Sequence, residues 1–133
     1  MINPSPFLRR ALQIDALFSG VSALLLVFGA SFLAPLTNLP EGFLRNTGLV
    51  LVVFVLGVGY LASRHVMSKG AVVAVIAINA VWTIGSIALL VSGWLSPNLL
   101  GQLFIVMQAI AVGVFAELEF IGLRRSADAL AAR

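Results

Sequence analysis

The chain reads as an all-α four-helix transmembrane bundle, and three features carry that assignment. First, 61% of its 133 residues are hydrophobic and only 10% are charged, with a mean hydropathy of +1.12. A soluble domain carries roughly 25% charged residues, so the bilayer is the expected solvent. Second, four apolar segments each reach the ~20 residues needed to cross ~30 Å of hydrocarbon. Third, seven of the eight basic residues fall on one side of the resulting topology.

The spans are expected over residues 12–34, 43–63, 71–93 and 99–121 of a single transmembrane domain, 1–133, ending in a short tail over 126–133. For the first helix, Ser5-Pro6 offers an N-cap followed by proline at the first helical position, and Pro35 is expected to stop it. The run is longer than a signal-peptide core. A cleavage site after Ala34 would also put Phe32 where a small residue is wanted, so the span is read as retained. For the second, Asn38 and Glu41 have capping-box spacing, with Pro40 in the tolerated first turn. Met67-Ser68-Lys69-Gly70 is a short turn into the third. Ser96-Pro97 reads as the cap of the fourth, and Trp94 suits an interfacial belt.

Arg9 and Arg10 precede the first span, Arg64 and Lys69 flank the 2–3 loop, and Arg124, Arg125 and Arg133 follow the fourth. The 1–2 connection holds only Arg45, and the 3–4 connection none. The positive-inside rule therefore places both termini in the cytoplasm. With a net charge of +3, the basic residues are too few and scattered for a nucleic-acid patch. There is no cysteine and a single histidine, His65, which excludes disulfides, thiolate metal sites and a haem held by two histidines of one chain.

Residues 14–29, IDALFSGVSALLLVFG, and 78–93, INAVWTIGSIALLVSG, match at 7 of 16 positions at a constant offset of 64. This repeat predicts two helical hairpins pointing the same way, of the parallel kind. It superposes two polar stripes of 3–4 residue spacing: Asp15, Ser19, Ser22, Gly29 and Asn79, Thr83, Ser86, Gly93. Small and polar stripes are packing seams between membrane helices, as are Ala16, Gly20 and Ala23. An intramembrane carboxylate such as Asp15 must in addition be paired, hydrated or neutral.

FAELEFIGLRR, residues 115–125, places Glu117 and Glu119 near the end of the fourth span, on different helix faces. Glu119 shares a face with Gln108, and Glu117 shares one with Gly113 and Gln102. Two arrangements follow. Asp15, Asn79, Glu119 and Gln108 form a candidate polar site, a vestibule open to the cytoplasm. Glu117 forms an ionic clasp with Arg9, Arg10 or Arg64. No metal site and no cofactor is expected.

DALFSG at 15–20, NAVW at 79–82 and QAIAVGVFAELEFIGLRR at 108–125 resemble uncharacterised small bacterial four-span integral membrane proteins. That resemblance implies a bacterial inner membrane and supplies no substrate. Small multidrug resistance transporters have similar length and four spans but are expected to carry a glutamate well inside the first span, where this chain has Asp15, earlier in the helix. DoxX-like proteins share only size and topology.

No nucleophile elbow, phosphate loop or metal-ligand cluster is present, so no enzyme is expected. Three functions fit the residues. One is a structural or accessory subunit working through helix contacts, as a homodimer or in a larger membrane complex. Another is an oligomeric small-solute, proton or cation transporter or channel using Asp15 and Asn79. The third is lipid or quinone binding between helices, with Trp82, Phe18 and Tyr60 as aromatic walls.

Overall fold

Apolar side chains cover the outside of this molecule as well as its inside. Leu17, Phe28, Val53, Val81, Val91 and Met107 are among many large hydrophobic residues left exposed, which is the surface a lipid solvent requires. The computed structural model describes residues 1–128. It is all-helical apart from one two-residue strand pairing, with α1 (Pro6–Thr37), α2 (Glu41–Ser63), α3 (Lys69–Ser92) and α4 (Leu99–Arg124). All four helices are long and apolar enough to cross a membrane.

Helix α1 packs along both α2 and α4, α3 packs on α4, and α2 and α3 scarcely meet beyond the short turn joining them. The bundle therefore has three closed seams and one open one. Glycine sets two of the close approaches. A Cβ on Gly48 of α2 would lie 2.8 Å from Leu26 Cβ, and one on Gly122 of α4 would lie 2.7 Å from the Leu8 backbone. Ala23 of the expected seam is buried, and Gly20 faces Val55.

Three expected boundaries are corrected. Pro35 does not stop α1; it sits in the last turn, and the helix ends at Asn38, which adopts the left-handed conformation (φ 56°). Asparagine tolerates that conformation and serves as a helix stop, so it is not the cap of α2. The N-cap of α2 is Pro40, with no side-chain cap. Helix α4 is capped by Asn98, whose side chain accepts from Gly101 N at 2.9 Å, two residues beyond Ser96. Ser5 caps α1 as expected, accepting from Leu8 N at 3.1 Å. Gly93 is the left-handed stop of α3 (φ 72°) rather than the end of a helical stripe.

The chain ends are tied together in a way the sequence did not announce. Strand β1 (Ile2–Asn3) pairs antiparallel with β2 (Ala127–Asp128). Ile2 also exchanges backbone hydrogen bonds with Met67, at 2.8 and 2.9 Å. The N-terminus, the α2–α3 turn and the residues after α4 thus share one end of the bundle. The expected tail includes β2; residues 129–133, Arg133 among them, lie outside the described residues.

Two apolar clusters fill the interior. Leu8, Leu12, Val58, Leu61, Met67 and Val72 pack at the terminal end. Leu26, Ala30, Leu39, Leu44 and Ile105 pack towards the α1–α2 loop. Between them lies a polar layer.

Candidate functional site

The polar layer is made by three helices. Helical periodicity turns Asp15 inward from α1 in line with Leu8, Leu12, Ser19 and Ala23, all buried. Asn79 is buried on α3 in line with Val72 and Val75, and Glu119 on α4 in line with Val112, Phe115 and Gly122. Asp15 and Glu119 are 0% exposed and Asn79 is 3% exposed. At about 1.5 Å per residue, Asn79 lies about 15 Å from the start of α3, well inside the span.

Asn79 joins the two carboxyl groups. Its Nδ2 donates to Asp15 Oδ2 and to Glu119 Oε1, each at 2.8 Å. Ser19 Oγ donates to the other oxygen, Asp15 Oδ1, at 3.1 Å. Three of the four carboxyl oxygens are therefore satisfied. The fourth, Glu119 Oε2, is buried without a hydrogen-bond partner, and such an atom in a folded protein calls for an explanation. No basic side chain reaches the layer: among the described residues the ion pair formed is Glu41 with Arg45, exposed at 3.3 Å near the opposite end. Two full negative charges around one amide in a dry interior would be strongly unfavourable. At least one of the two carboxyl groups must therefore be neutral or balanced by a positive charge.

The layer is sealed on one side and approached on the other. Towards the terminal end, Leu8, Leu12, Leu61, Met67 and Val72 form a buried plug. The expected vestibule open at that end is not present, because these large side chains fill the space. Towards the other end, a cavity of about 50 Å³ between α2 and α3 reaches Asn79 and Ser19. A second, of about 90 Å³ and lined by Phe18, Phe43, Trp82 and Phe104, continues towards the α1–α2 loop. Ser19, Leu51, Trp82 and Val112 line both.

Gln108 does not join the carboxyl groups. It lines the larger cavity, where its Oε1 accepts from Trp82 Nε1 at 2.8 Å and its Nε2 donates to Ser86 Oγ at 2.9 Å. Of the expected aromatic walls, Trp82 and Phe18 line the cavity, whereas Tyr60 is 66% exposed beneath the Arg64 guanidinium.

The ionic clasp is corrected as well. Glu117 is exposed, beside Gly113 and Thr83 in a shallow groove between α3 and α4, and makes no ion pair with Arg9, Arg10 or Arg64. Its helix face turns it away from α1 and α2, which carry those arginines. Arg9 instead holds the terminal end through backbone carbonyls, donating to Ala62 O and, at 2.6 Å, to Arg64 O. The sequence reading missed Phe43, Leu51 and Phe104 as cavity walls. They lie in uniformly apolar stretches with no pattern to single them out.

No protein family, curated protein or solved structure matches the chain.

Proposed function

We propose that this protein is a small multi-pass protein of the bacterial inner membrane, termini cytoplasmic, that passes protons or small monovalent cations through a site formed by Asp15, Asn79 and Glu119. One observation carries the reading: two fully buried carboxyl groups share a single amide, with one carboxyl oxygen left without a donor. Ionisable groups inside a membrane bundle mark ion pathways and proton relays, and a monovalent positive charge is what this donor-poor pair lacks. The cavities on one side and the plug on the other are the asymmetry expected of a site reached from one direction at a time. Four helices enclose little water, so the working unit is a homodimer or a larger complex.

The test is flux in liposomes holding the purified protein and an entrapped pH indicator. Under an inside-negative potential the lumen should acidify faster than in protein-free vesicles, and Asp15→Asn or Glu119→Gln should remove the excess. Wild-type vesicles no faster than empty ones, both with the pH indicator and with a sodium or potassium indicator in its place, would overturn the reading.

A structural or accessory role has its own support in the glycine contacts at Gly48 and Gly122, which lock α1 to α2 and α4. Those contacts account for the bundle, but not for two carboxyl groups buried within it.

A further inference from the structure

We propose that the paired cavities, the larger enclosed by all four helices and the smaller lying between α2 and α3, bind a small amphipathic amine: one aromatic ring or short alkyl body carrying a single ammonium group. The inference rests on the cation-site reading above and names the solute for that site.

Size, walls and charge each narrow the ligand. The two cavities hold about 90 and 50 Å³, close to the engineered cavity of roughly 150 Å³ that takes up benzene. The walls of the larger one are apolar and aromatic, with Phe18, Phe43, Phe104 and Trp82 around it, so they suit a ring or an alkyl chain. Most of its polar lining is already engaged, since Gln108, Trp82 and Ser86 bond one another and Thr47 bonds the Phe43 carbonyl.

The smaller cavity ends at Ser19 and Asn79. The Asn79 amide nitrogen is committed to the two carboxyl groups, and no donor among the described residues reaches its Oδ1. Ser19 is one hydrogen bond from Asp15. A ligand whose body fills the larger cavity therefore presents its polar end to acceptors backed by two carboxyl groups with no basic partner among the described residues. An ammonium satisfies acceptors and carries the missing charge, whereas a carboxylate or phosphate would be repelled.

The entry route is lateral. Helices α2 and α3 scarcely meet along their length, and Val50 and Ile78 at the rim of the smaller cavity are 58% and 48% exposed on the lipid-facing surface. A solute that partitions into the bilayer reaches the seam without crossing the terminal plug.

Trp82 lines both cavities and reports occupancy. Replacing the exposed Trp94 (Trp94→Phe) leaves Trp82 as the single tryptophan. In lipid nanodiscs at neutral pH, benzylamine should change Trp82 emission saturably, at a concentration at least tenfold below that for benzyl alcohol, its neutral counterpart of matching size. Asp15→Asn with Glu119→Gln should erase that preference while leaving benzyl alcohol binding in place. Val112→Phe, or Ser22→Leu as a milder filling of the larger cavity, should weaken both probes.

Equal affinity for the two probes, or a preference that survives loss of both carboxyl groups, would overturn the amine assignment. No saturable change with either probe would overturn the cavity as a ligand site. Carboxyl-dependent proton flux without benzylamine binding would sink this inference alone and leave the cation site standing; carboxyl-dependent benzylamine binding without flux would keep the site and its ligand and sink passage through it.

Discussion

Asp15 and Asn79, 64 residues apart, meet side chain to side chain inside the bundle, the amide of one donating to the carboxyl of the other at 2.8 Å. They occupy the same place in the two copies of the 16-residue repeat, one on α1 and one on α3. The difference between copies, acid in one and amide in the other, is what allows the pair to bond rather than repel. Val55, 64 residues before Glu119, brings no third acid to the layer.

The first prediction follows from that bond. Asn79→Ala leaves the buried Glu119 carboxyl without a donor and Asp15 with Ser19 Oγ alone, and each acceptor left unsatisfied in this way costs ~1–3 kcal/mol. The variant should melt far below the wild type in detergent. Replacing Asp15, Asn79 and Glu119 together by leucine should recover most of the loss, because a packed apolar layer needs no donors. If the triple variant melts as low as Asn79→Ala, shape rather than polarity holds the layer.

The four helices were legible because membrane spans are specified by length and hydrophobicity, both of which are local quantities. Asp15, Asn79 and Glu119 were legible because a charged or amide residue in an apolar run has few reasons to be there. Their meeting was not. Periodicity set Glu117 and Glu119 on different faces, and the Gln108 face pointed to Glu119 as the inward one, but in a chain apolar on all sides it does not say what each face meets. The close packing of α4 on α1 at Gly122 buries the Glu119 face, and that is a tertiary fact. The direction of the cavity failed for the same reason: Leu8, Leu61 and Met67 read as ordinary span residues until they close over the site.

The two glutamates should part company under substitution. Glu117 is exposed and makes no ion pair among the described residues, so Glu117→Leu should stay within about 0.5 kcal/mol of wild type, as surface changes away from special features do. Glu119→Leu leaves an Asn79 N–H unpaired, with an expected loss of ~1–3 kcal/mol. Equal shifts in melting temperature would contradict the burial difference.

Arg9 should be worth more than its charge. Its guanidinium reaches two carbonyls around the C-terminal end of α2, Ala62 O and Arg64 O, where helical carbonyls lack intrahelical partners. Arg9→Gln should cost ~1.5–3 kcal/mol, the range for hydrogen bonds to charged groups. Arg9→Lys should recover only part of this, since one ammonium does not reproduce the planar fork. High salt should weaken a pure charge effect but leave the difference between Lys and Arg; a lysine variant indistinguishable from wild type would show that charge alone matters.

Gly122 and Gly57 form a matched pair of helix glycines with opposite expected outcomes. A methyl group on Gly122 meets the Leu8 backbone at 2.7 Å and Leu8 Cβ at 2.9 Å, whereas one on Gly57 meets nothing within 4 Å. Backbone has no rotamer by which to yield, so Gly122→Ala must push α4 from α1. That movement also pulls on Ser5, whose Oγ donates to Gly122 O at 3.0 Å while capping α1. Overpacking of this kind costs ~1–3 kcal/mol. Gly57→Ala should instead gain up to about 1 kcal/mol from helix propensity. Because Glu119 lies one turn before Gly122 on α4, Gly122→Ala should also lower carboxyl-dependent proton flux, and Gly57→Ala should not. A Gly122→Ala protein that melts and conducts like the wild type would mean that the α1–α4 contact is looser than the 2.7 Å approach requires.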